Sequence, residues 1–123
     1  MPRSARSRPE ATASNESIAV IKAELFKALA HPARIRVLEV LSDGERSVGD
    51  IQPRVGLELS HLSQQLAVLR KAGLVTYRKE GSSVIYAVKD ELVAELLRVA
   101  KQLLINSLAE TTGLLSGLRA PAS

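Results

Sequence analysis

At Gly73 the hydrophobic period of this chain changes. Before it, in "LSHLSQQLAVLRKA", leucines recur at the three- and four-residue intervals of one helix face. After it, Val75 and Tyr77 alternate with Thr76 and Arg78. Beyond "EGSS", Val84, Tyr86 and Val88 alternate again, as the two strands of a hairpin do. A helix-period pattern does not sit stably as a strand, nor the reverse. The switch therefore commits the chain to a helix followed directly by a β-hairpin. Gly73 suits the junction, because the left-handed backbone that ends many helices costs glycine least.

The remaining segments read mostly as helix. Ile18, Ile21, Leu25 and Leu29 recur at helical spacing behind Ser17, a candidate N-cap. Pro32 suits the first turn of a second helix, which "LSDGE" closes. Ser47, with Asp50 three residues later, opens a short third helix that ends near "PRVGLE". A fourth runs from about Leu59 to Ala72, and Asp90 caps a last one reaching about Leu108. The expected fold is mainly α with a β-hairpin, about five helices and two strands. In it the third and fourth helices form a helix-turn-helix and the hairpin forms a wing. Residues 1–15, rich in Ser, Ala, Pro and Arg without periodicity, are expected as a disordered basic tail. The folded domain is expected over 16–108, with a fraying extension over 109–123. Arg3, Arg6 and Arg8 would give the tail a loose basic character.

Composition closes several function classes. There is no cysteine, which excludes disulfides, thiolate metal sites and thiol redox switches. No apolar run approaches the ~18 residues of a membrane span, and "MPRSARSRPEATASNES" lacks the apolar core of a secretory signal. A cytoplasmic location is the default expectation. Nor is an enzyme expected: there is no glycine-rich phosphate loop and no dense carboxylate cluster. Ser60 and His61, adjacent on a helix, point about 100° apart and make a poor nucleophile–base pair. What composition does favour is charge in one place. The chain holds 17 Lys and Arg against 13 Asp and Glu, and residues 46–89 alone hold seven bases against three acids, an excess of four that equals the whole chain's. A localised positive field is the footprint of a nucleic-acid surface.

The fourth helix sits inside that window. With Leu62 as the centre of a face and 100° per residue, Leu59, Leu66 and Leu69 fall within about 60° of it and read as core. Opposite lie Ser60, Gln64, Ala67 and Lys71, flanked by Ser63 on one side and by His61 and Val68 on the other. The exposed N-terminal half is therefore read as Ser60, His61, Ser63, Gln64 and Gln65. Glutamine can pair in bidentate fashion with adenine, serine can donate or accept, and histidine can reach a base or phosphate. Arg70 and Lys71 follow a turn or more later, where phosphates would lie. Arg78 and Lys79 give the wing basic shoulders for the adjacent backbone, while Glu80 at its tip opposes them.

Four blocks together, "LFKALAHPARIRVLEVL", "SVGDI", "LSHLSQQLAVLRKAGLV" and "YRKEGSSVIYAV", resemble the ArsR/SmtB family of winged-helix bacterial repressors over about residues 20–105. The resemblance implies a homodimer that sits on a palindromic double-stranded DNA operator and leaves it when an effector binds. It assigns DNA reading to His61, Ser63, Gln64 and Gln65, with Ser60 nearby. It also implies pairing through the first and last helices. The sequence agrees, since Leu92, Val93, Leu96, Leu97, Ala100, Leu103 and Leu104 form an apolar band wider than one core-facing stripe, which Ile18, Ile21 and Leu25 can complete. The family's usual metal sites are missing. Ser47 and Gly49 stand where many relatives carry a "C-x-C" pair. On the last helix Asp90 fits the first ligand, but Leu92, Leu103 and Asn106 hold the others, and one oxygen donor does not hold zinc. Two alternatives remain. One is a Ni²⁺ or Zn²⁺ effector at a non-standard site drawing on His31, His61, Glu91 and Glu95. The other is a winged-helix adaptor that binds protein.

Overall fold

The structure, a computed structural model, describes the backbone of residues 2–119 and the side chains of residues 16–113. Its elements run α1 (Pro2–Leu29), α2 (Pro32–Ser42), β1 (Arg46–Ser47), α3 (Val48–Val55), α4 (Leu59–Lys71), β2 (Val75–Glu80), β3 (Ser83–Val88) and α5 (Glu91–Arg119). α1 is helical well before Ser17, so Ser17 lies inside the helix and caps nothing. The side chains of Arg3, Arg6 and Arg8 lie outside the described residues.

Local chemistry accounts for the other boundaries. At α2, His31 Nδ1 accepts the Ala33 amide at 3.1 Å and Pro32 occupies the first turn, where a missing N–H costs nothing. At α3, Ser47 Oγ accepts the Asp50 amide at 3.1 Å, and Gly56 ends the helix at φ 70°. α4 stops in a Schellman motif. The Leu74 amide donates to the Leu69 carbonyl at 2.9 Å and the Gly73 amide to the Arg70 carbonyl at 3.0 Å, with Gly73 at φ 78°. At the start of α5, Asp90 Oδ1 accepts the Leu92 amide at 2.9 Å.

The hairpin pairs Val75 with Val88 through to Glu80 with Ser83, which leaves Gly81 and Ser82 as the turn. Gly81 has φ 61° and no described non-glycine residue has positive φ, the pattern of a type II′ turn. A third strand joins this ladder, correcting the two expected: β1 pairs antiparallel with β3, Arg46 opposite Tyr86 and Ser47 opposite Ile85, so the sheet order is β1-β3-β2. A strand this short is invisible to periodicity.

The core is aliphatic. Val37, Leu38 and Leu41 of α2, Ile51 of α3, and Leu62, Leu66 and Leu69 of α4 are all essentially sealed from solvent. Ala28 and Leu29 close it from α1, Leu74 and Val75 from the start of the wing, and Val93 from α5. Burying a leucine of this kind stabilises by roughly 1.5–3 kcal/mol, so α4 is anchored mainly by its three sealed leucines.

Candidate nucleic-acid interface

α4 presents two chemically distinct faces. Leu62, Leu66 and Leu69 point inward, while Ser60, Ser63, Gln64, Ala67 and Lys71 are exposed and His61 is half-buried. None of Ser60, Ser63 and Gln64 makes a side-chain hydrogen bond within the described chain, so their donors and acceptors are available to a ligand. A tight link, Gly56–Glu58, joins α3 to α4. Glu58 occupies the N-cap of α4 without a side-chain cap bond.

Two residues of α4 depart from the wheel-based reading. Gln65, expected among the exposed readers, is buried. Its Oε1 accepts from Arg34 Nε at 2.8 Å. The wheel already held this information: five hundred degrees of turning separate Gln65 from Ser60, but only about 60° separates it from Leu62 on the core side. Leu59, at the same angular distance on the other side, was expected in the core and is 53% exposed. It is the first residue of the helix, so no preceding turn covers it.

The basic residues are distributed differently from a row of free cations. The Arg70 guanidinium lies 4.9 Å from the centroid of the Tyr77 ring. Tyr77 in turn stacks on Tyr86 across the strand pair at 5.6 Å. This cation–π contact ties the end of α4 to the base of the wing. Arg78, expected to be free for phosphate, is engaged by two carboxylates. Its Nη1 and Nη2 donate to Glu45 at 2.6 and 2.9 Å, and its Nε donates to Glu80 at 2.8 Å. The fork holds the Glu45 carboxyl below its ordinary range and raises the Arg78 guanidinium further above its own. Lys71 and Lys79 are exposed and enter no ion pair among the described residues. Sequence reasoning saw Glu80 as an opposing charge but missed Glu45, whose approach to the wing depends on β1 joining the sheet.

The candidate metal donors do not converge. His31 and His61 meet edge to face, with ring centroids 6.3 Å apart, but His31 Nδ1 is already spent on the α2 cap. Glu91 and Glu95 lie on α5, and Glu95 is held by Arg98 at 2.6 Å, which lowers its carboxyl pKa. Among the described residues no three His, Cys, Asp or Glu side chains gather as a metal-binding group. Two imidazoles, one of them committed, do not match the roughly four donors that zinc takes.

The apolar band on the outer helices divides. Val93 is buried in the chain's own core, and Leu25 and Leu96 pack against that core half-buried. Ile18, Ile21, Leu92 and Leu103 are 49%, 66%, 70% and 65% exposed. Ala100 is exposed beside them. No helix among the described residues is long and apolar enough to cross a membrane.

A helix-turn-helix backed by a three-stranded wing, with a neutral polar face on its second helix, defines a winged helix-turn-helix of the DNA-binding regulator class. Residues 31–77 match the family model described as bacterial regulatory protein, arsR family. The chain is 49% identical over 110 residues to an uncharacterized HTH-type transcriptional regulator, Rv0081, of Mycobacterium tuberculosis, covering 89% of this chain and 96% of that one. The crystal structure of that regulator superposes with a TM-score of 0.72 at 50% identity, covering 77% of this chain and 96% of that one. A homodimeric winged helix-turn-helix DNA-binding domain from Mycobacterium bovis gives a TM-score of 0.72 at 31% identity, over 78% of this chain and 89% of that one. The transcriptional repressor BigR from Xylella fastidiosa gives 0.68 at 33% identity, over 75% and 94%. The chain belongs to the ArsR family and is a DNA-binding transcriptional regulator.

Proposed function

We propose that this protein is a cytoplasmic homodimeric repressor that reads a palindromic operator with α4 of each protomer and is released by an effector. The observation that carries the reading is the face formed by Ser60, His61, Ser63 and Gln64. These side chains bear matching hydrogen-bonding groups, sit at the N-terminal half of a helix anchored by three sealed leucines, and are exposed or, for His61, half-buried. Recognition helices offer their N-terminal residues to base edges in this way. Lys71 and Lys79 supply phosphate contacts, and Arg70 and Arg78 do so to the extent that Tyr77, Glu45 and Glu80 release them. Ile18, Ile21, Leu92, Ala100 and Leu103 supply an exposed apolar surface on α1 and α5 that a second copy would cover. Leu25 and Leu96 support that surface from beneath. Repression is favoured by the likeness to BigR, and homodimerisation by the likeness to the Mycobacterium bovis domain.

Selection of duplexes from a random-sequence library by the purified protein tests the reading. The expected product is a two-fold symmetric motif with half-sites about one helical turn apart, bound with affinity that falls steeply with salt because phosphate contacts release counterions. Enrichment of no motif, with capture of a protein instead, would favour the adaptor role. Transcription from a promoter carrying the motif falls when a repressor is added and rises when an activator is added.

A further inference from the structure

We propose that Arg34 is a positioning residue for the recognition helix: by holding Gln65 from behind, it fixes the angle at which α4 presents Ser60, Ser63 and Gln64. Gln65 is the only buried polar side chain among the described residues. Its Oε1 accepts from Arg34 Nε at 2.8 Å. The same guanidinium donates through Nη1 to the Ala28 carbonyl at 3.0 Å. Ala28 lies in the last turn of α1, which ends at Leu29, and the carbonyls of a helix's last turn have no amide partner within the helix. Arg34, six residues further on, supplies a donor to one of them. One side chain on α2 thus links the C-terminal end of α1 to the inner face of α4.

The physical need for such a link is directional. Leu62, Leu66 and Leu69 hold α4 against the core through contacts that are strong but not oriented, because the hydrophobic effect has no direction. A hydrogen bond from a planar guanidinium does have one, and charge-assisted bonds are about twice as strong as neutral ones. Gln64 and Gln65 are about 100° apart on the helix, so holding Gln65 inward fixes the direction in which the Gln64 side chain leaves the helix. Gln65 therefore serves recognition without touching DNA.

This inference rests on α4 being the reading element, and its test separates the two. Full-length protein is used with the duplex that the wild type enriches most from a random library. Gln65→Met keeps the volume and removes the acceptor, Arg34→Met keeps the stem and removes the donors, and Gln65→Glu keeps an acceptor opposite the guanidinium. Either methionine variant should bind the enriched duplex about tenfold more weakly, the scale set by losing one charge-assisted bond. Binding to a scrambled duplex should stay within about twofold, since Gln65 and Arg34 make no phosphate contact. The double variant should lose no more than Arg34→Met alone, because that variant has already lost the bond to Gln65. Gln65→Glu should retain most of the discrimination. If Gln65→Met instead changes preference at one base pair while Arg34→Met leaves the selected motif unchanged, Gln65 is a reader and the proposal is overturned. A lowered Tm with an unchanged ratio of specific to scrambled binding, measured where the variants are folded, also overturns it. Should the wild type enrich no motif, DNA reading by α4 fails. The clamp is then decided by hydrogen exchange in DNA-free protein: faster exchange in α4 than in α3 for both methionine variants supports it, and unchanged exchange refutes it.

Discussion

α4 and the wing carry the same expectation, contact with DNA, but they meet it with opposite chemistry. α4 is anchored by sealed leucines and leaves Ser60, Ser63 and Gln64 uncommitted. The wing is mostly exposed along β2, and its leading cation, Arg78, is already held by Glu45 and Glu80. A rigid element with free neutral groups is suited to reading, because hydrogen bonds to base edges need fixed geometry. An exposed element with paired charge is suited to adjusting, because an exposed ion pair is weak and exchanges readily. Counting bases in the sequence places a positive field near the wing but says nothing about how much of it is free.

The contrast breaks most visibly in the core. Leu62→Ala should destabilise the fold by about 2–5 kcal/mol, the range for truncating a buried leucine, as read from denaturant unfolding. Truncating exposed Tyr77 in the wing should cost much less. On the reading face, Gln64→Ala should weaken the selected duplex by about 1–3 kcal/mol, the worth of a bidentate base contact, and leave scrambled DNA nearly unaffected. Equal losses on both duplexes would remove Gln64 from the reading role. The wing should answer in the reverse sense. Glu45→Gln frees part of Arg78, so affinity for any duplex should rise a few-fold and the slope of log affinity against log salt should steepen by up to about 0.9 for each phosphate newly contacted.

The smallest effect concerns pH. The Arg78 fork depresses the Glu45 carboxyl below its ordinary 4.5. A depressed folded-state pKa contributes stability above the ordinary value, and that stability is lost as the pH falls through the lowered one. Wild type and Glu45→Gln should therefore differ slightly in stability at neutral pH and converge in strong acid. Both partners are about half exposed, so the difference is small. A gap that persists unchanged into strong acid would show that the Glu45 charge is not its source.

What was legible in the chain was what short-range patterning encodes. The change of period at Gly73, Pro32 in the first turn of α2, the caps at Ser47 and Asp90, and Leu62, Leu66 and Leu69 of the α4 stripe each depend on neighbours a few residues away, and these stand in the structure. The family was legible too, because four blocks of side chains recur in fixed order. What was not legible involves partners distant in sequence. β1 exists because Arg46 and Ser47 meet Tyr86 and Ile85. Arg78 is neutralised by Glu45, thirty-three residues away, and Gln65 is turned inward by Arg34, thirty-one residues away. By itself the sequence determined the helices, the hairpin and the polar outer face of α4, since periodicity and capping are local. Only the tertiary structure decided which polar groups on those elements remain free, since a hydrogen bond or ion pair is settled by whatever the fold brings within about 3 Å.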